Sequence, residues 1–415
     1  MTAIQPGTRL GAVRYEIRGA LARHARRLEA EGRHIVHLNI GNPGRFGFRA
    51  PECLREAVAA HLDASDGYCH EQGLDGARES IAARQRARGV TSVDTDRVFI
   101  GNGVSELIDM TLRALLEPGD EVLLPSPDYP LWSAATILNG GVPRYYNCPA
   151  SSAHVPDADE IAALVTPRTR AIVIINPNNP TGAVYPHAVL ERIVAVAAQH
   201  DLVLLADEIY DGIVYDDAVF QPLAPLAGDV ACVSFAGLSK VHRACGWRVG
   251  WMTLSGADAR VAAYRDALQL LAALRLCANV TAQWAVKPAL EEDTSIRDLV
   301  APGGRLHQAR QAVQGGVAAS RFLNLVTPRG ALYAFPSVRA DVLPVFDDGT
   351  FALRLLEEES VLLTPGSSFN VTGSRHLRLT LLPQPAEIAD VFVRMERVLE
   401  RMADAQPTAG VATAA

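Results

Sequence analysis

The sequence predicts an α/β fold, with a large layer built on a mostly parallel β-sheet and a smaller α+β unit after it. Three observations predict it. Between about Pro51 and Trp284, helical patterns alternate with short apolar runs: Val98–Ile100, Glu121–Leu124, Ala171–Ile175, Leu202–Ala206, Ala231–Phe235 and Val249–Thr253. Runs this short, nearly continuous and rich in β-branched residues read as strands buried on both faces. After Pro302, Gly303 and Gly304 the rhythm changes to one helix and several brief strands. Finally, 49% hydrophobic and 20% charged residues suit a chain with a sizeable core.

The elements follow in order. Ile17 to Glu31 carries Leu21, Ala25 and Leu28 at helical spacing, with Gly32 as a stop. His34 to Ile40 alternates toward a short strand, and Gly41, Asn42, Pro43 and Gly44 mark a loop. The six apolar runs are the expected sheet. A helix is expected over Leu306 to Ala319, then strands near Leu323–Val326, Ala331–Phe335, Val361–Leu363 and His376–Thr380. Glu357, Glu358 and Glu359 read as a solvated helix face, and the Leu268–Leu274 cluster as core. The tail from Ala405 is low in complexity and reads as disordered.

Composition excludes several classes. Lys+Arg 39 against Asp+Glu 46 leaves a net charge of −7, which argues against a nucleic-acid partner. No apolar run reaches the ~18 residues of a membrane helix. Arg9, Arg14, Glu16 and Arg18 interrupt any signal-peptide core. The six cysteines have no CxxC pair and read as free thiols, so a cytoplasmic protein is expected. His34 and His37 lack a nearby third ligand, so no metal site is expected.

Four segments carry chemistry, each after an expected strand. Lys240 lies in SFAGLSKVHRACGWRVGW, with Arg248 eight residues on. A lysine beyond a buried strand can act as an amine nucleophile, although alone it also reads as a surface lysine. INPNNPTG (175–182) can turn amides toward a ligand, or be an ordinary turn. Asp207 ends a buried strand, with Tyr210 three residues on. A carboxylate there needs a cation or hydrogen bonds, unless it only caps a helix. IGNGVSEL (100–107) joins a strand to a helix start, where backbone N–H groups and Ser105 could hold a phosphate. Together they offer an amine, a carboxylate, a phenol, an arginine and a phosphate nest. Pyridoxal 5′-phosphate needs that set.

On these residues the chain resembles the class I/II aminotransferases of fold type I, and more narrowly the bacterial alanine (glutamate–pyruvate) aminotransferases. Further motifs carry the likeness: LNIGNP (38–43), PSPDYPLW (125–132), RLCANV (275–280), PGGRL (302–306), PRGALYAFP (328–336) and HLRLTLLP (376–383). The resemblance implies a seven-stranded, mostly parallel sheet. It implies an N-terminal arm and part of the small domain over 1–45, a large cofactor domain over 46–300, and the small domain over 301–403, with 404–415 as tail. Lys240 would form the Schiff base with the cofactor aldehyde and shuttle the proton. Asp207 would face the pyridine nitrogen, and Tyr210 and Asn179 the 3-oxygen. Tyr129 would stack on the ring. Val104, Ser105, Ser239 and Arg248 would hold the phosphate. Tyr68 would reach the phosphate of a neighbouring subunit, which implies a homodimer. Arg378 would clamp the substrate α-carboxylate, with the Gly41 backbone closing over it. Tyr15 and Arg18 would lie at the site mouth, Arg18 taking the glutamate side chain.

The implied reaction moves an amino group between L-alanine, or a similar small amino acid, and 2-oxoglutarate. The same residues also suit a pyridoxal-phosphate oxidase, hydroxylase, lyase or decarboxylase, or a transaminase of another amino acid. A cofactor-binding transcriptional regulator would need a basic helix-turn-helix ahead of the fold, which is expected to begin near Tyr15. Gly237 departs from the family, where a phosphate-binding serine is common; Ser234 or Ser239 could replace it.

Overall fold

The computed structural model describes residues 3–406, apart from the side chain of Arg18. A seven-stranded sheet forms its centre, in the order Val98–Gly101, Gly250–Ser255, Cys232–Gly237, Val203–Asp207, Thr169–Ile175, Glu121–Ser126 and Val142–Asn147. Only Gly250–Ser255 runs against the rest. Helices cover both faces. Apolar side chains on one face, such as Ile172, Ile174 and Leu204, join one core cluster, while Val173, Ile175 and Leu205 join another. That two-sided burial explains the continuous apolar runs.

The edge strand Val142–Asn147 was not among the expected runs. It carries Pro143 and Arg144 and is mostly solvent-facing. An edge position tolerates this proline, since an N–H facing away from the single neighbouring strand makes no ladder bond.

The N-terminal helix spans Ala20–Ala30 and begins later than the periodicity suggests, after a short turn at Glu16–Arg18. The strand after it shrinks to Val36–His37, which pairs in parallel with Val361–Leu362. His37 bonds Glu29 at 2.7 Å. The C-terminal part holds helices at Arg305–Ala319, Asp348–Glu359 and Pro385–Asp404. Its strand Leu377–Thr380 lies between Tyr333–Ala334 and Thr364–Pro365. Asp404 therefore closes a helix and does not begin the tail, and the rest of the expected tail, from residue 407, lies outside the described residues.

Two surface expectations need correction. In the helix Asp258–Leu274, Leu268 is buried but Leu270 and Leu274 are 62% and 74% exposed. At 3.6 residues per turn, Leu268 and Ala272 share the face that meets the Val104–Leu115 helix, and the other two point away. Glu357 and Glu358 are exposed, but Glu359 is tucked between Arg397 and Arg401 at 2.6 and 2.7 Å. Those two guanidiniums hold its carboxyl down at about 2.

Candidate active site

The carboxyl ends of the central strands deliver the chemistry to one crevice, where parallel sheets bind ligands. Asp207 is the last residue of its strand, and Asn176 to Thr181 follow the strand Thr169–Ile175. Gly103 links the strand Val98–Gly101 to the helix Val104–Leu115, and Ser239 and Lys240 follow Cys232–Gly237. The crevice is a cavity of about 590 Å³. Every site residue expected from the sequence lines it except Tyr68, while the side chain of Arg18 lies outside what is described. Tyr68 is 81% exposed in a loop outside this cavity.

Lys240 Nζ donates to Gly41 O at 2.7 Å. A Cβ at position 41 would stand 2.2 Å from Tyr333 Oη, so any larger residue would force that buried ring to move. Asp207 is 3% exposed, and its hydrogen bonds come from neutral donors: Trp132 Nε1 at 3.0 Å and Ile209 N–H at 3.4 Å. Burial raises its carboxyl above the ordinary range, against the pull of Trp132, the Ile209 amide and Lys240. A cation in the cavity would relieve that cost. A protonated pyridine nitrogen is such a cation.

Tyr210 donates to Tyr333 Oη at 3.1 Å. Burial would raise the Tyr333 hydroxyl, but Lys240, Arg378 and the Tyr210 bond together bring it below its ordinary value. Tyr15 Oη lies 3.5 Å from Tyr129 Oη at the mouth.

A second group of residues forms an anion cradle. Gly103 has φ +84°, and no side chain caps the helix that starts at Val104. Arg248 reaches across it, donating to Asn102 O at 3.2 Å and Cys245 O at 2.9 Å. The positive φ at Gly103 strains any L side chain, and a Cβ there would also fall 2.3 Å from that guanidinium. Uncapped N–H groups, a guanidinium and two lining hydroxyls, Ser105 and Ser239, suit a phosphate. Gly237 offers none: a Cβ there would meet Val249 O at 2.8 Å, where two strands close up. Ser234 is buried in the strand and Ser239 lines the cavity, so Ser239 is the available hydroxyl.

Arg378 is 1% exposed. Its hydrogen bonds go to neutral oxygens: Asn179 Oδ1 at 3.1 Å, Thr364 Oγ1 at 3.5 Å, and Asn39 O. Its Nε has no partner among the described residues. The guanidinium lies between the rings of Tyr333 and Phe369, 4.5 and 4.8 Å from their centres. A buried cation held by neutral groups is costly until an anion arrives. A carboxylate can meet a planar guanidinium with two parallel hydrogen bonds.

Sequence reasoning missed Tyr333 and Trp132. Both stand in quoted motifs, PRGALYAFP and PSPDYPLW, but a single aromatic in an apolar run reads as core. Only the fold brings Trp132 to Asp207 and Tyr333 to Lys240.

The profile of the family described as aminotransferase class I and II covers residues 33–394. The chain is 46% identical over 399 residues to the glutamate-pyruvate aminotransferase AlaA of Escherichia coli K12, covering 96% of this chain and 98% of that one. It is 45% identical over 398 residues to an alanine aminotransferase of Mycobacterium tuberculosis, covering 96% and 93%. Among solved structures, an aminotransferase from Escherichia coli superposes with a TM-score of 0.94 at 45% identity, covering 96% and 99%. An alanine aminotransferase from Pyrococcus furiosus does so with 0.90 at 33%, covering 96% and 100%.

Proposed function

The chain belongs to the class I and II aminotransferases, pyridoxal 5′-phosphate enzymes, and from that premise we propose that it moves an amino group between L-alanine and 2-oxoglutarate in two alternating half-reactions. The observation that carries the reaction type is one cavity holding Lys240, Asp207 and Arg378 together. The choice of alanine rests on relatives named for it at 45–46% identity.

The cofactor, when bound, supplies an aldehyde that exchanges with the amino group and a protonated ring that draws electron density from the substrate Cα. Val104, Ser105, Ser239 and Arg248 hold its phosphate. Asp207 keeps a proton on the ring nitrogen, helped by Trp132, which fixes the carboxylate. Tyr210 and Asn179 hold the ring oxygen, and Tyr129 covers the ring. Lys240, neutral when it acts, takes the proton from the substrate Cα and would return it two atoms away, to the carbon that came from the cofactor aldehyde. Arg378 grips the α-carboxylate, and Gly41, on the chain beside Lys240, closes over it.

Tyr15 and Arg18 belong to the mouth in this reading, with Arg18 receiving the side-chain carboxylate of glutamate. Arg18→Ala should raise KM for glutamate and 2-oxoglutarate by roughly tenfold or more and leave that for alanine unchanged. Equal losses for both substrates would assign Arg18 to structure.

The working unit is a homodimer in which Tyr68 completes the neighbour's phosphate site. Supporting this, Leu62, Tyr68, Leu270, Leu274 and Leu276 are all exposed. Gln269 and Arg275 tie the helix end to Glu71, three residues past Tyr68. Mixing Lys240→Ala with Tyr68→Phe chains should restore one intact site per hybrid, and no gain after subunit exchange would refute sharing. We also assign 46–300 to the large domain and 1–45 with 301–403 to the small one, a division that the Val36–His37 pairing with Val361–Leu362 supports. The free state of all six cysteines agrees with a cytoplasmic setting. No helix among the described residues is long and apolar enough to cross a membrane.

The decisive assay gives purified holoenzyme alanine and 2-oxoglutarate and measures pyruvate and glutamate. Equal yields with parallel-line kinetics are expected. Pyruvate released without glutamate, with dioxygen consumed, would replace transamination by an oxidase reaction.

A further inference from the structure

Where the strand Glu121–Ser126 leaves the sheet, the chain runs through Asp128 and Tyr129 into the helix Leu131–Leu138. Four hydrogen bonds fasten this loop to the turn Gly366–Phe369 and its end at Asn370. Asp128 N–H donates to Phe369 O at 3.1 Å. Ser126 Oγ donates to Asn370 O at 3.1 Å. The Asn370 amide donates to Asp128 Oδ1 at 2.9 Å and to Ser133 Oγ at 3.0 Å.

Both ends of this junction carry a wall of the active site. The residue after Asp128 is Tyr129, which lines the cavity. The residue before Asn370 is Phe369, whose ring lies 4.8 Å from the Arg378 guanidinium carbon. Phe369 also packs with Ile17 and Phe335, against which Ile40 and Tyr129 rest. Asp128 is fully buried, its Oδ2 has no partner among the described residues, and its hydrogen bonds come from uncharged groups. A carboxyl buried without a cation costs stability, so its contribution here is a fixed geometry.

We propose that Asp128 and Asn370 are positioning residues, a clamp that holds the Phe369–Arg378 carboxylate anchor in register with Tyr129 and so presents the substrate Cα to Lys240. The inference rests on reading Arg378 as the α-carboxylate anchor. Breaking the clamp would loosen that anchor for every substrate, because amino acids and 2-oxo acids share the α-carboxylate.

The test is a double-mutant cycle on cofactor-saturated enzyme, reading KM and kcat separately. Asp128→Ala and Asn370→Ala should each raise KM for alanine and 2-oxoglutarate alike by roughly tenfold. The absorbance of bound cofactor should not change. The double variant should be no worse than the poorer single one. Asp128→Asn, which keeps an acceptor oxygen for Asn370, should rescue most of the loss. Multiplying effects in the double variant, or a fall in melting temperature with unchanged KM, would overturn the clamp. If Asp128→Ala fails to fold, Asn370→Ala decides alone by the same KM criterion, since this side chain is only half-buried. Arg378→Lys is the control for the underlying reading: an unchanged KM there removes the anchor itself, whereas failure of the clamp alone leaves the Arg378 effect intact.

Discussion

Lys240 Nζ donates to the carbonyl of Gly41 at 2.7 Å, across 199 positions of sequence. The contact joins the strand end that presents the amine to the N-terminal loop expected to cover the substrate. A Cβ at position 41 would stand 2.2 Å from Tyr333 Oη, so the lack of a side chain there lets the loop and Tyr333 share the space beside Lys240.

Lys240 is the expected attachment point of the cofactor. Borohydride reduction of the holoenzyme followed by peptide mapping should find the pyridoxyl group on Lys240. Lys240→Ala should bind cofactor without a trappable link. A pyridoxyl group mapped to another residue would end this assignment.

Asp207→Asn should preserve the fold yet lower kcat by several orders of magnitude. The amide can still accept from Trp132, but its missing charge no longer favours a protonated ring nitrogen. A variant that turns over near the wild-type rate would show that Asp207 is structural.

Tyr333→Phe removes one hydrogen-bond partner of the buried Tyr210 hydroxyl, 3.1 Å away. A loss of ~1–2 kcal/mol is expected, which is roughly tenfold in kcat/KM. The ring should still pack on Arg378, so the change should fall mainly on kcat. Steady-state kinetics with alanine check this, and a KM effect alone would point to the substrate anchor instead.

Burial pushes the Asp128 carboxyl up to about 7, despite the bonds from Asn370 and Ser133 that pull it down. Its unfolded value is ~3.9, so the native state holds the proton more tightly. The stability this supplies is full below about pH 4 and is lost as pH rises through about 7. Asp128→Asn has no proton to lose. Urea midpoints should therefore show wild type losing stability relative to Asp128→Asn across that window. Glu208, also raised to about 7 by burial, stays in both proteins and cancels. A difference that does not vary with pH would mean that Asp128 is ionised throughout.

Much of the molecule is legible in its sequence. Periodicity located six of the seven sheet strands, because two-sided burial leaves an unbroken apolar run such as Ala171–Ile175. The chemistry-bearing residues were legible because a polar group directly beyond such a run, like Asp207 or Lys240, has to be explained by function or by a partner.

What the tertiary structure alone decided is how distant residues pair. The edge strand Val142–Asn147 has no apolar run to announce it, and half of the Leu268–Leu274 cluster faces outward because only one side of its helix meets the core. Trp132 on Asp207, Tyr333 on Tyr210, and Asn370 on Asp128 join residues 75 to 242 positions apart. Sequence records which side chains can hydrogen-bond and which must be buried, since both follow from local chemistry. It does not record which partner each will meet, because that depends on how the strands are ordered and how the C-terminal layer folds back across their ends.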